Sequence, residues 1–198
     1  MLELHRLALG HSVRAVDAVR DDQWELPTPC AQWDLRQLVE HMTAENLGFA
    51  AAAAGERADR SPWEFHASGA GLAADYRASA ARVVAAFGEP GVLEREFWLP
   101  RIKDTVTFPA RQAVSFHLLD YLVHSWDVAA ALGRPVDFEP ELVRAVAVIA
   151  QREVPDGPRR LRPGAGFRPP AAVPVDATEL DRLLAALGRA PRWPRRSD

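Results

Sequence analysis

The stretch FHLLDYLVHSWDVAAAL, residues 116–132, places His117, Asp120 and His124 inside an otherwise apolar run. At ~100° per residue these three side chains project within ~60° of one another on a helix. Asp120 and His124 are neighbours in i,i+4 relation on that face. Phe116, Leu118, Leu119, Leu122, Val123, Trp126, Val128 and Leu132 spread over most of the circumference, the pattern of a helix buried in its bundle. Burying a carboxylate with two imidazoles is costly unless something compensates. A divalent cation would do so, taking neutral histidine nitrogen and ionised carboxylate oxygen directly. A metal-free Asp–His hydrogen bond would do so as well, and spacing leaves both open.

A second segment, LRQLVEHMTAENLGF, carries His41 among Leu35, Leu38, Val39, Met42 and Leu47. Alone it reads as a core histidine. Set opposite Asp120 and His124 it completes three protein ligands and leaves a coordination position open, the mark of a catalytic rather than a closed structural site. His117 reads as a fourth ligand, a support for Asp120, or a core histidine. Glu45, one turn beyond His41, reads as a general base or, more simply, as a solvated helix residue. Asp127 either holds the other nitrogen of a ligand histidine or caps local backbone, the second being the simpler reading. Trp33 and Trp126 read as packing residues. Cys30 reads as a small buried side chain rather than a nucleophile. His5, His11 and His66 read as surface or packing residues, and the arginines at 192, 195 and 196 as a solvated end.

The elements that must position these groups follow from periodicity and punctuation. Leu2 to Val19 carry helical spacing over residues 2–20. Pro27 and Pro29 break the pattern, and Asp34 with Gln37 forms a capping box for a second helix ending at Gly55. An Ala-rich third helix is expected over 69–87 and a fourth over 110–132, ending at Gly133. Residues 91–108 read as a loop crossover or a short hairpin. A fifth helix opens at Pro140, residues 154–174 are irregular, and a short last helix over 177–187 is opened by Asp176 and closed by Gly188. The expected fold is therefore all-α: an antiparallel four-helix bundle over 1–135 with a C-terminal extension, 136–198, packed on it as one domain. That extension reads as a cover, a pocket wall or a homodimer surface.

Composition narrows the partners. The 198 residues are 48% hydrophobic with a net charge of −3, which suits a packed core and gives no basic stripe for nucleic acid. No apolar run approaches the ~20 residues of a membrane span. The single cysteine excludes an internal disulfide and fits a cytoplasmic location.

Two longer motifs, LPTPCAQWDLRQLVEHMTAEN at 26–46 and DYLVHSWDVAAALG at 120–133, carry a resemblance, joined by the ending DRLLAALGRAPRWP. Together they resemble the DinB-like superfamily of four-helix metal proteins, in the branch of the mycothiol-dependent maleylpyruvate isomerase N-terminal domain. The resemblance implies metal ligands at His41, Asp120 and His124, with zinc as the ion and nickel as another candidate. Many members have Glu or His where this chain has Asp120, one methylene shorter than Glu. The resemblance also implies a thiol-dependent transferase or isomerase, in which the metal activates a small thiol against an electrophilic substrate. The alternative is a non-catalytic metal-binding module for sensing or interaction.

Overall fold

The structure, a computed structural model, describes residues 1–31, 33–67, 71–162 and 164–193. Its helices are α1 (Leu2–Asp17), α2 (Leu35–Ala53), α3 (Leu72–Phe87), α4 (Pro100–Lys103), α5 (Ala110–Ala131), α6 (Pro140–Glu153) and α7 (Glu179–Ala186). Two short strands, β1 (Glu96–Trp98) and β2 (Thr107–Pro109), pair antiparallel with Phe97 opposite Phe108. The chain is thus mostly helical, and the 91–108 segment is the hairpin rather than the crossover. One element in it was not foreseen: the single helical turn α4 at the hairpin tip, started by Pro100 at its first position. The part of the expected third helix at 69–70 lies outside the described residues.

α2 packs on α3, α3 on α1, α1 on α5 and α5 on α2, so the four long helices close a ring around the core. Each contributes the face its sequence makes apolar. On α1 that face is Ala8, Leu9 and Val16, and on α3 it is Leu72, Tyr76, Ala80, Val83 and Phe87. α5 is buried on nearly every side, as its unbroken apolar run requires. Leu35, Leu38, Met42, Leu118 and Leu122 are at most 1% exposed, each burial stabilising the fold by roughly 1.5–3 kcal/mol. Buried hydroxyls and amides tie the helices together. Tyr76 donates to Ser12 Oγ at 2.5 Å, Asn46 Nδ2 to Ser79 Oγ at 2.9 Å, and the Tyr121 hydroxyl to the Met42 carbonyl. At the ring's edge Gly48 lies under Trp63, where an added Cβ would stand 2.2 Å from the indole. Only glycine admits that approach.

The helix ends follow their punctuation. Asp34 Oδ1 accepts from Gln37 N at 2.8 Å, and Gln37 Oε1 accepts from Asp34 N at 3.1 Å, the expected capping box. The last helix is capped by Thr178 with Asp181 rather than by Asp176, because a cap must immediately precede the first turn. α6 packs on α5, and α7 on α6, so the C-terminal segment lies against the ring.

His5 and His117 form a buried pair between α1 and α5. Their Nε2 and Nδ1 atoms are 3.0 Å apart, and both residues are 1% exposed. Burial, with Arg6 nearby, pushes His5 down to about 3; burial and His5 push His117 well below its usual value. Both are neutral in the fold and take up protons on unfolding below pH ~6.5. The contribution to stability is therefore complete above about pH 6.5 and is lost as pH falls towards 3. Going from pH 7 to pH 5 should cost about 2 kcal/mol through His5, with a further loss in the same direction from His117. Urea unfolding at the two pH values should show this loss in the wild type and show it reduced in a His5→Leu/His117→Leu variant; equal pH dependence in both would contradict it.

Candidate metal centre

α2 and α5 face each other at the positions that matter. One ligand atom from each of His41, Asp120 and His124 can be chosen so that all lie within 4.8 Å of one another, and this is the group of potential metal-binding side chains found among the described residues. His41 and Asp120 are partly accessible, and His124 is buried.

The orientation of His124 is set by its neighbours. Its Nδ1 lies 2.9 Å from Asp127 Oδ2, one turn further along α5. Burial would raise the Asp127 carboxyl, but Arg189 and the His124 hydrogen bond outweigh it and hold it below the usual range. An ionised carboxylate only accepts, so Nδ1 carries the proton. Nε2 is then the atom turned to Asp120 Oδ1, at 3.4 Å. Two donors on one tetrahedral ion with ~2.0–2.1 Å bonds stand ~3.3–3.4 Å apart. Burial also raises Asp120, and for His124 the two aspartates outweigh burial and raise it. A proton between Nε2 and Oδ1 answers the same electrostatic need as a cation.

Asp127 is fully buried and would itself be costly without a partner. Arg189 supplies it, with Nε 2.9 Å from Oδ1 and Nη2 2.9 Å from Oδ2, a two-pronged pair. Arg189 reaches this place because α7 ends in a Schellman turn, with Arg189 N donating to Leu184 O and Gly188 N to Ala185 O. Gly188 has φ +80°, and an added Cβ would stand 2.5 Å from the Arg168 carbonyl oxygen, so only glycine makes this turn here.

His41 is held from two sides. The Trp33 ring stacks on it at 4.4 Å between centroids. Arg101, carried by α4, has Nη1 3.2 Å from His41 Nδ1 and 2.8 Å from Glu45 Oε1. Its Nη2 donates to the Trp63 carbonyl. Guanidinium only donates, so Nδ1 accepts from it and the neutral ring carries its proton on Nε2; His41 can ligate an ion only if Arg101 gives up Nδ1. Burial, His124 and Arg101 together lower His41 to about 2, leaving a neutral ring. Burial raises Glu45 to about 7 against the pull of Arg101. Around the three potential ligands, three carboxylates (Glu45, Asp120 and Asp127) meet two guanidinium groups, and the donor set of two neutral imidazoles and a carboxylate suits a borderline cation such as zinc.

Several sequence readings change. Glu45 is buried beneath α4 and paired with Arg101 rather than solvated. Asp127 holds His124 Nδ1 instead of capping backbone. His117 lies outside the triad, turned towards His5 and stacked on Tyr121 at 4.0 Å. His5 keeps its reading as a packing residue, Arg192 pairs with Asp176, and Arg195 and Arg196 lie outside the described residues. Trp33, Cys30 and the triad all line one cavity of about 620 Å³. Arg101 and Arg189 were missed, since neither stands at a recognisable spacing from the triad.

Against known proteins, the model of the mycothiol maleylpyruvate isomerase N-terminal domain matches residues 5–129. The chain belongs to that family. Two relatives from Mycobacterium tuberculosis, "Uncharacterized protein Rv0738" of strain H37Rv and "Uncharacterized protein MT0763" of strain CDC 1551 / Oshkosh, are each 35% identical over 191 residues. The alignments cover 96% of this chain and 98% of each relative. No solved structure gives a significant match. The family match takes in His41, Asp120, His124 and Asp127 but stops short of Arg189.

The buried Asp127–Arg189 pair should therefore be costly to break from one side. Arg189→Met or Asp127→Asn alone should destabilise by about 3–5 kcal/mol, because each strands a charge. The double variant should cost less than the sum, read from denaturant midpoints in a double-mutant cycle. Additive losses would show that the pair is not coupled.

Proposed function

We propose that this chain holds one divalent metal ion, zinc by preference and nickel as a substitute, on His41, Asp120 and His124. We propose further that it uses the ion in a thiol-dependent, mycothiol-type transfer or isomerisation. The observation that carries the reading is the fixed tautomer of His124. Its Nε2 is aimed at Asp120 and lies beside His41 in the wall of a cavity of about 620 Å³. When bound, the ion supplies Lewis acidity, which lowers the pKa of a small thiol to give the thiolate nucleophile. The protein's own part is orientation. Asp127 holds His124, Trp33 holds the His41 ring, and Phe49, Phe116 and Phe167 give the cavity apolar wall. A cavity of this size suits the binding of a small molecule beside the three potential ligands.

The finer architecture belongs to the same reading. The ring of α1, α2, α3 and α5 is taken as the antiparallel four-helix bundle of the family, with residues 136–198 packed on it in one domain. No helix is long and apolar enough to cross a membrane, and the expected location remains the cytoplasm.

Protein purified without chelator and exposed to zinc or nickel should carry about one ion per chain by elemental analysis. His124→Ala should abolish loading, and Asp127→Asn should weaken affinity by roughly 10–100-fold through loss of the supporting hydrogen bond. Wild-type protein that stays metal-free would overturn the proposal. Turnover is then sought with a panel of low-molecular-weight thiols and electrophiles, and should disappear with the metal.

A further inference from the structure

The segment after α6 returns to the cavity, bringing Arg159 and Arg160 to the wall that also carries His41, Asp120 and His124. The charges on this wall do not all find partners. Glu45 is matched by Arg101 at 2.8 Å. Glu153 is bonded by Arg152 Nε at 2.5 Å and by Gln112 Nε2 at 2.9 Å. Asp120 stands beside His124.

The two arginines are different. The Arg160 side chain is only 6% exposed. One nitrogen, Nη2, is pinned to the Ala186 carbonyl at 2.6 Å, so the guanidinium is held in place. Its Nε is buried with no hydrogen-bond partner. The carboxylate nearest to it, Asp156, is 3.9 Å from Nη1 and is itself 69% exposed. The Arg159 side chain is exposed and makes no ion pair among the described residues. A buried, immobilised guanidinium with an unmet N–H, next to a second arginine, is short of an acceptor that carries negative charge. Planar guanidinium donors match the paired oxygens of a carboxylate or a phosphate.

We propose that Arg159 and Arg160 form an oxyanion subsite of the cavity, one that takes the carboxylate or phosphate group of the substrate. The reacting end of that molecule is then left towards the triad, and this second half rests on the metal reading above; the anion subsite itself does not. The C-terminal segment on this view selects the substrate, while the helices of the family domain supply the chemistry. Arg160 also borders a neighbouring cavity of about 600 Å³ between α6 and α7, where Arg144 stands. An anion there would be a different site.

The test uses the full chain, stripped with chelator and dialysed at low ionic strength, titrated calorimetrically with succinate, inorganic phosphate and uncharged succinamide. Succinate or phosphate should bind while succinamide does not, and whichever binds more tightly identifies the oxyanion. Arg159→Ala should weaken binding about 10-fold, and Arg160→Lys, which keeps the charge but loses the fork, by at least as much. Arg144→Ala should leave affinity unchanged. The same binding should persist in His124→Ala, and wild-type protein that binds the anion yet stays metal-free after exposure to zinc or nickel would sink the metal reading alone. Binding that needs added zinc and ignores Arg159→Ala would place the anion on the metal and overturn the subsite. Binding lost in Arg144→Ala, or equal binding of succinamide, would overturn it too.

Discussion

One carboxylate, that of Asp127, sets the order of everything around it. It has no access to solvent, so it must be ionised and paired or cost the fold several kcal/mol. On one side it fixes which nitrogen of His124 carries the proton; on the other it draws Arg189 into the interior. The candidate ligand is thus oriented by a charge that needs a second charge from a distant part of the chain. A histidine held only by packing would be free to flip its ring. One held by an anchored carboxylate presents Nε2 to the cavity.

The same logic explains the shape of the centre. α5 carries two of the three candidate ligands and the residue that orients one of them, all on a helix enclosed by apolar neighbours. α2 supplies the third across the interface. The hairpin between α3 and α5 seals Glu45 by carrying α4, and with it Arg101, over the end of the site. Trp63 joins this arrangement because Gly48 lets its indole settle against α2, leaving its carbonyl to receive Arg101. Local sequence choices such as a glycine in a helix and a proline at a hairpin tip therefore decide which charges meet near His41.

Most of the helical framework was legible from periodicity and stop signals, since buried faces at 3.6-residue spacing and glycines after helices are local in the sequence. The nearness of residue 41 to residues 120 and 124 was legible chiefly through the resemblance to a metal-binding family, since a lone histidine in an apolar helix reads equally as a core residue, as His5 and His117 are. Asp127 was misread for a local reason: at three residues beyond His124 it could bond either backbone or ring, and only Arg189 decides the matter. Glu45 was misread because nothing in its own helix shows that α4 will cover it. Arg101 and Arg189 left no periodic trace, as each acts through a turn whose direction depends on tertiary packing.

The anchoring of Asp127 from a point 62 residues downstream has a consequence for biosynthesis. At ~5–20 residues per second a ribosome needs roughly 3–12 s to travel between those two codons. Throughout that interval the nascent α5 carries a carboxylate whose permanent counter-charge does not yet exist, so that part of the helix cannot seat fully while it emerges. Final closure of the centre accordingly waits on the arrival of a single arginine.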